Sequence, residues 1–260
     1  MKRPPVGLAV LGILTFLLFS SCDQFFSLNL FQKAGLGQQK TPSAADLASM
    51  SVSDLENLAD SPSFYTDLSD DSAKKNAVLD NLSAAYGDVS NSADEIQSAA
   101  ALYAQVQLNT TDGQAVVNGV VSAALSTDLG SLDGTNIIDF LKASLPSDVL
   151  ADSTGAKFRA AVSSLIDSKP AYDALGASIV ANGGTTTLSP AAIGDAAQGA
   201  MLSYVLNGTS TSGGTGNTID DLWNLVNGTG SASVSYSAPS GSDQTNVDAI
   251  LTAAHSPFSF

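Results

Sequence analysis

Residue types able to do chemistry are few in this chain. His255 is the sole histidine and Cys22 the sole cysteine. His255 stands near the C-terminus on what reads as the fraying end of a last helix, so it is expected on the surface rather than as a general base. A Ser/His/Asp triad could be built only around it, and no Gly-x-Ser-x-Gly elbow supports one. With one His and one Cys, a transition-metal site of the usual nitrogen and sulfur type is excluded. Hard cations take oxygen ligands, and Asp128-Leu129-Gly130-Ser131-Leu132-Asp133-Gly134-Thr135-Asn136 carries Asp-Gly in its middle as a calcium loop would. Such loops need oxygen ligands at positions 1, 3 and 5, Gly at 6 and a carboxylate at 12. Starting at Asp128 the Asp-Gly pair falls one residue late, and starting at Leu129 the first and last ligands would be Leu129 and Phe140. The segment reads instead as a turn capping a helix from Thr135. Asp70, Asp71, Asp220 and Asp221 could supply the paired carboxylates of glycoside hydrolysis, but adjacent acids at a helix start also stabilise its dipole. No catalytic residue, cofactor or metal ligand is assigned.

Trp223, in Asp220-Asp221-Leu222-Trp223-Asn224-Leu225-Val226, is the one residue that suggests binding, because Trp is enriched at interface hot spots. Its helical neighbours Ile219 and Val226 favour a core anchor instead.

The first residues have the order of an export signal: Lys2 and Arg3, an uncharged apolar run from Val6 to Phe19, then Ser20 and Ser21 before Cys22. The run is shorter than the roughly 20 residues a permanent transmembrane helix needs, so the segment is expected to be removed. Leu18-Phe19-Ser20-Ser21-Cys22 resembles the lipobox of bacterial lipoproteins. In that family small residues admit the backbone to the processing peptidase, and the cysteine receives a diacylglyceryl thioether and becomes the new N-terminus. Phe19 stands where the family usually carries Leu or another aliphatic residue. The resemblance covers residues 1–22 and implies a chain exported and lipid-anchored in the cell envelope through Cys22, with the membrane and face left open. Lipidation would also remove an unpaired thiol from an oxidising compartment, and two or three acyl chains would make the anchoring effectively permanent.

The chain carries 10 Lys plus Arg against 25 Asp plus Glu, a formal net charge of −15, and loss of Lys2 and Arg3 would make it more acidic still. That sign repels phosphate backbones and anionic headgroups, which excludes nucleic acid as a partner. No Lys or Arg follows Lys169, while Asp173, Asp195, Asp220, Asp221, Asp243 and Asp248 do. A solvated acidic surface accounts for this more simply than a cation site.

The elements that must carry whatever function exists are helical. Residues 22–40 form a lipidated tether, with Phe25, Phe26, Leu28, Leu30 and Phe31 followed by a Gly/Gln-rich stretch. From Thr41 onward, hydroxyl caps and first-turn prolines recur at Thr41-Pro42, Ser61-Pro62 and Ser189-Pro190, and Ser53 with Glu56 and Ser92 with Glu95 have capping-box spacing. Apolar residues recur at helical spacing, one face per helix, as in Ile96, Ala99, Ala100, Tyr103 and Val106. The spacing predicts helices over 71–86, 92–108, 112–125, 137–144, 156–167, 171–180, 190–206, 218–226 and 247–254. Period-two alternation is limited to Val234-Ser235-Tyr236, so no strand is expected. The fold class is all-α: an irregular multi-helix bundle or a short helical-hairpin array. The short turns resemble helical-hairpin repeats of the tetratricopeptide kind in architecture only, since that repeat's residue pattern fits at one or two positions. Residues 41–206 read as the main helical domain and 207–260 as a loop-rich part packed on it. There Asn207-Gly208 and Asn227-Gly228 are each expected to end a helix in the left-handed conformation and open a mobile Gly/Ser loop.

Antiparallel helices rich in Ala, Val and Leu offer grooves, and chemistry-bearing residues are scarce. The reading is therefore a non-enzymatic protein-binding or scaffolding module of the envelope. The alternative is a carrier of lipid or another apolar ligand in an interhelical cavity. A hydrolase using carboxylates is the least favoured.

Overall fold

The computed structural model describes residues 41–124, 133–134, 136–256 and 260, with side chains for all of these except 120–124. Leu18, Phe19, Ser20, Ser21, Cys22, the tether 22–40 and the Asp128–Leu132 part of the acidic loop lie outside the described residues. The described chain is mostly helical, with one small two-stranded sheet.

Three short helices, α1 (Ala44–Leu47), α2 (Val52–Ala59) and α3 (Pro62–Asp70), open the fold, and a serine precedes each. Ser43 and Asp46 form a reciprocal capping box at α1, where each side chain satisfies a backbone N–H that the first turn leaves unpaired. The expected cap at Thr41-Pro42 is thus shifted. Thr41 is buried and its hydroxyl donates to Asp67 on α3. The expected box at Ser53 and Glu56 is likewise replaced by Ser51, whose hydroxyl accepts from the Asp54 N–H. Starting α2 at Val52 turns both Val52 and Leu55 into the core, and their burial decides between the two serines.

Helices α4 (Ser72–Gly87) and α5 (Ala93–Asn109) follow as a hairpin, capped by Asp71 and Ser92. Then come α6 (Gly113–Ala124), α7 (Ile137–Ser144), α8 (Ser147–Leu150), α9 (Ala156–Asp167), α10 (Lys169–Ala181) and α11 (Pro190–Asn207). Helix α7 starts at the expected Ile137; before it, Asp133 and Asn136 exchange side-chain to backbone hydrogen bonds of 2.9 and 3.1 Å.

The Gly/Ser-rich stretches expected to be loops contain strands. β1 (Thr209–Ser212) pairs antiparallel with β2 (Ser233–Tyr236), Thr209 opposite Tyr236, and α12 (Thr218–Val226) lies between them in sequence. Gly208 does not take the expected left-handed conformation: its φ is −78°. Its need for glycine is steric, because a Cβ there would stand 2.3 Å from the Ser237 carbonyl oxygen where the chain enters the sheet. Gly228, at φ 74°, does end its helix as expected. The last helix, α13 (Ser242–Ala253), begins five residues before the expected Val247, because its first turn is polar and shows no apolar periodicity.

Three apolar clusters fill the interior. One joins α1 to α5 through Leu47, Leu55, Phe64, Leu82 and Leu102. A second joins α5, α10, α11 and α13 through Ala100, Tyr172, Ile179, Ala200 and Ile250. The third joins α6 to α9, α11 and α12 through Val117, Phe140, Leu165, Leu202 and Trp223. Helix α5 supplies all three, with Leu102, Ala104 and Leu108 on different sides, and α11 supplies two. Both therefore bury more than the single face their periodicity suggests, and alanine lets neighbours approach them closely. Where α10 meets α13 the approach is closer still. A Cβ on Gly176 would stand 2.4 Å from the Asn246 carbonyl oxygen.

Candidate functional site

A groove of about 560 Å³ runs between α2, the start of α3, the outer face of α5, and the first turn of α11 with the loop before it. Glu56 on α2, Asp60 directly after it and Asp195 on α11 bring three carboxylates to it, and among the described residues no Lys or Arg lines it. Gln105 and Asn109 on α5 and Gln114 and Asn118 on α6 add amides, while Ala59, Ala101, Leu102 and Leu188 form an apolar floor. Tyr65 stacks edge-on against Phe64, ring centres 5.5 Å apart, and also reaches the groove.

One buried side chain holds the α11 wall. Gln97 is fully buried, and its Oε1 accepts from the Thr187 N–H at 2.9 Å and from the Thr186 and Thr187 hydroxyls at 3.0 and 3.3 Å. Its Nε2 donates to Ser178 on α10 at 3.4 Å. Ser189 then caps α11 by accepting from the Ala192 N–H. The loop that places Leu188 and Asp195 at the groove is thereby fixed from α5.

The electrostatics of the groove are one-sided. The Asp195 side chain accepts no hydrogen bond among the described residues, and burial pushes its carboxyl above the usual carboxylate range. Burial, and next the charge of Asp60, push the Tyr65 phenol well above its ordinary value, so it stays protonated and able to donate.

The residues singled out from sequence are placed elsewhere. Trp223 is 4% exposed, its ring 5.4 Å from that of Phe158 and packed on Gly155, where a Cβ would stand 2.6 Å from the indole. It is a core anchor. His255 is exposed directly after α13 with φ 51°; its N–H donates to the Thr252 carbonyl at 3.0 Å and that of Ser256 to Leu251 at 2.9 Å. This is the Schellman arrangement that closes a helix. Of the four Asp candidates, Asp71 caps α4 and Asp220 pairs with Arg159 at 2.5 Å. Asp221, 2% exposed, accepts from the Thr215 N–H at 2.6 Å and the Thr211 hydroxyl at 2.8 Å. These bonds, the one from Thr215 foremost, hold its carboxyl below the usual range. Asp70 and Asp71 stand far from that pair in sequence, and the structure brings none of the four to the groove.

Lys169, the last base in the chain, joins three helices. Its Nζ lies 2.8 Å from Asp173, 3.1 Å from Asp243 at the start of α13, and 4.9 Å from the centre of the Tyr204 ring on α11. Arg159 and Lys169 thus fasten the base-free remainder of the chain to the helices before it.

Among the described residues no group of three or more His, Cys, Asp or Glu is placed to hold one metal ion, and no helix is long and apolar enough to cross a membrane. Sequence reasoning missed Glu56, Gln97, Asp60 and Asp195. For Gln97 a signal existed, an amide between Ile96 and the apolar run Ala99 to Leu102. For the groove acids there was none, because they meet only in three dimensions. Compared with protein-family models, curated proteins and solved structures, the chain matches none of them.

Proposed function

We propose that this chain is a bacterial lipoprotein, cut before Cys22 and held in the cell envelope by acyl chains on that cysteine, whose helical part binds another protein and catalyses no reaction. The anchor rests on Lys2-Arg3, the apolar run to Phe19 and the lipobox-like Leu18 to Cys22. The observation that carries the binding reading is the groove, where unpartnered carboxylates rim an aliphatic floor that a rigid buried amide holds open. Its charged rim favours a polar partner over an apolar cargo.

Intact mass of the membrane-extracted protein beside a Cys22→Ser variant tests the anchor. A native chain beginning at acylated Cys22 is expected, and an unmodified soluble chain would overturn it. For the binding reading, a photo-crosslinking residue at Gln105 should give a discrete protein adduct in intact envelopes, and one at exposed Asp80 should not. Absence of any adduct from the groove would reject the reading.

A further inference from the structure

Four asparagines in this chain are followed directly by glycine: Asn118, Asn182, Asn207 and Asn227. In such a pair the glycine nitrogen, unhindered by a side chain, can attack the asparagine Cγ. The N–Cγ bond forms, the Cγ–Nδ2 bond breaks, and ammonia leaves with the glycine amide proton. The cyclic imide then takes up water and opens to aspartate or isoaspartate, so water is the one co-reactant. By local sequence the four pairs are alike. The fold separates them by how much must be undone before the nitrogen and Cγ can meet.

Asn118 lies inside α6, where its Oδ1 accepts from Gln114 at 3.1 Å. A Cβ on Gly119 would stand 2.1 Å from the Ser144 carbonyl oxygen, so the backbone there has no room to turn. Asn207 ends α11: its Nδ2 donates to the Ser203 carbonyl at 2.9 Å, the Gly208 N–H donates to Tyr204 at 2.9 Å, and Gly208 is packed on Ser237. Asn182 is exposed directly after α10, but its Nδ2, the leaving group, donates to the Thr185 carbonyl at 2.9 Å. Asn227 is exposed directly after α12, and its side chain makes no hydrogen bond among the described residues. Gly228 beside it is exposed too, with nothing within 4 Å of where a Cβ would stand. The main chain closes α10 and α12 alike, the Gly183 and Gly228 N–H groups each donating at 3.1 Å to a carbonyl three residues back. The side chain therefore decides between them. Local opening of the last turn frees Asn227 to cyclise, whereas Asn182 must also give up its amide bond.

We propose that Asn227 is the site at which this chain deamidates spontaneously, while the fold protects the other three pairs. The product puts a negative charge at the C-terminal end of α12, where the helix dipole disfavours an anion. As isoaspartate it also adds a main-chain methylene where the Thr229 and Gly230 N–H groups converge on the Asn224 carbonyl at 2.8 and 2.9 Å. Deamidation there is independent of what the groove binds.

The test is peptide mapping by mass spectrometry of the full chain in detergent, aged at pH 8 in folded form and, in parallel, in urea. In urea all four pairs should gain the mass of an amide-to-acid change at similar rates. In the folded chain Asn227 should convert first, about 2–10-fold faster than Asn182, the factor one hydrogen bond supplies, with Asn118 and Asn207 slower still. Asn227→Ser, at an exposed position, should fold and should abolish the early acidic species on anion exchange. The proposal is overturned if any of the other three pairs converts as fast as Asn227 in the folded chain, or if Asn227 stays intact there while the urea sample converts.

Discussion

Replacing Gln97 by alanine removes the one side chain that fixes the α11 wall of the groove, and the structure sets the scale of the loss. The amide oxygen accepts from the Thr187 N–H and from two hydroxyls, and its nitrogen donates to Ser178. The threonine hydroxyls can turn to water at little cost. The exposed Thr187 N–H loses a bond rather than being orphaned; that bond and the one to buried Ser178, at about 0.5–1.5 kcal/mol each, together come to about 1–3 kcal/mol. Removing the Gln97 methylene from a fully buried position adds about 0.8 kcal/mol. The expected destabilisation is therefore about 2–4 kcal/mol, read as a fall in urea midpoint multiplied by an unchanged slope. Gln97→Leu keeps the volume but not the bonds and should lose about 1–3 kcal/mol. If Gln97→Ala lost less than about 0.5 kcal/mol, the level of an ordinary surface change, the claim that this amide positions the groove would be wrong.

Asp195 makes a signed pH prediction. Burial raises its folded pKa, so the native state holds its proton more tightly than the unfolded chain does; this term favours the native state most at low pH and is lost as pH rises from about 4 through the raised value. Asp195→Asn should therefore have a higher urea midpoint than the parent at pH 7 and the same midpoint at pH 4, and equal midpoints at pH 7 would contradict it. Asp221 has the opposite sign: its lowered pKa gives stability that is present above about 3.8 and is lost as pH falls through the folded value, so Asp221→Asn should flatten the acid limb of the stability curve. Gly176→Ala gains about 1 kcal/mol of helix propensity. Overpacking of about 1–3 kcal/mol against the Asn246 backbone should outweigh that gain, so a raised thermal midpoint would show that α13 yields easily. His255→Gly relieves a left-handed residue and should stabilise by up to about 1 kcal/mol; a fall in thermal midpoint would point to an unseen role for the imidazole.

How much was legible depends on what signals each element. Helices α7, α9 and α12 combine a strong apolar face with a clear first turn, and the bounds 156–167, 137–144 and 218–226 follow from the sequence. α2 was shifted because two serines compete to cap it, and only the burial of Val52 and Leu55 decides. The polar first turn of α13 carries no periodicity, so nothing in the sequence extends it back from Val247 to Ser242. β1 and β2 are four residues each, built of Thr, Ser, Val and Tyr, and they pair across the whole of α12. Nothing local separates such strands from a Gly/Ser loop. The groove is the least legible feature. Its acids come from α2 and α11, and what joins them is the hydrogen bonding of Gln97 to a loop some ninety residues away, a separation of 90 in sequence for the Thr187 N–H.

The three apolar clusters share walls, and that sharing bears on how the molecule comes apart. Leu108 serves the same cluster as Trp223, Ala104 the same cluster as Ile250, and Leu102 the same cluster as Leu47, yet all three leucine and alanine positions sit on α5. Melting any one cluster strips a side of α5 and weakens the other two. Heat or urea should accordingly produce a single transition in which the Trp223 fluorescence and the helical circular dichroism change together, rather than the stepwise loss expected of stacked independent hairpins.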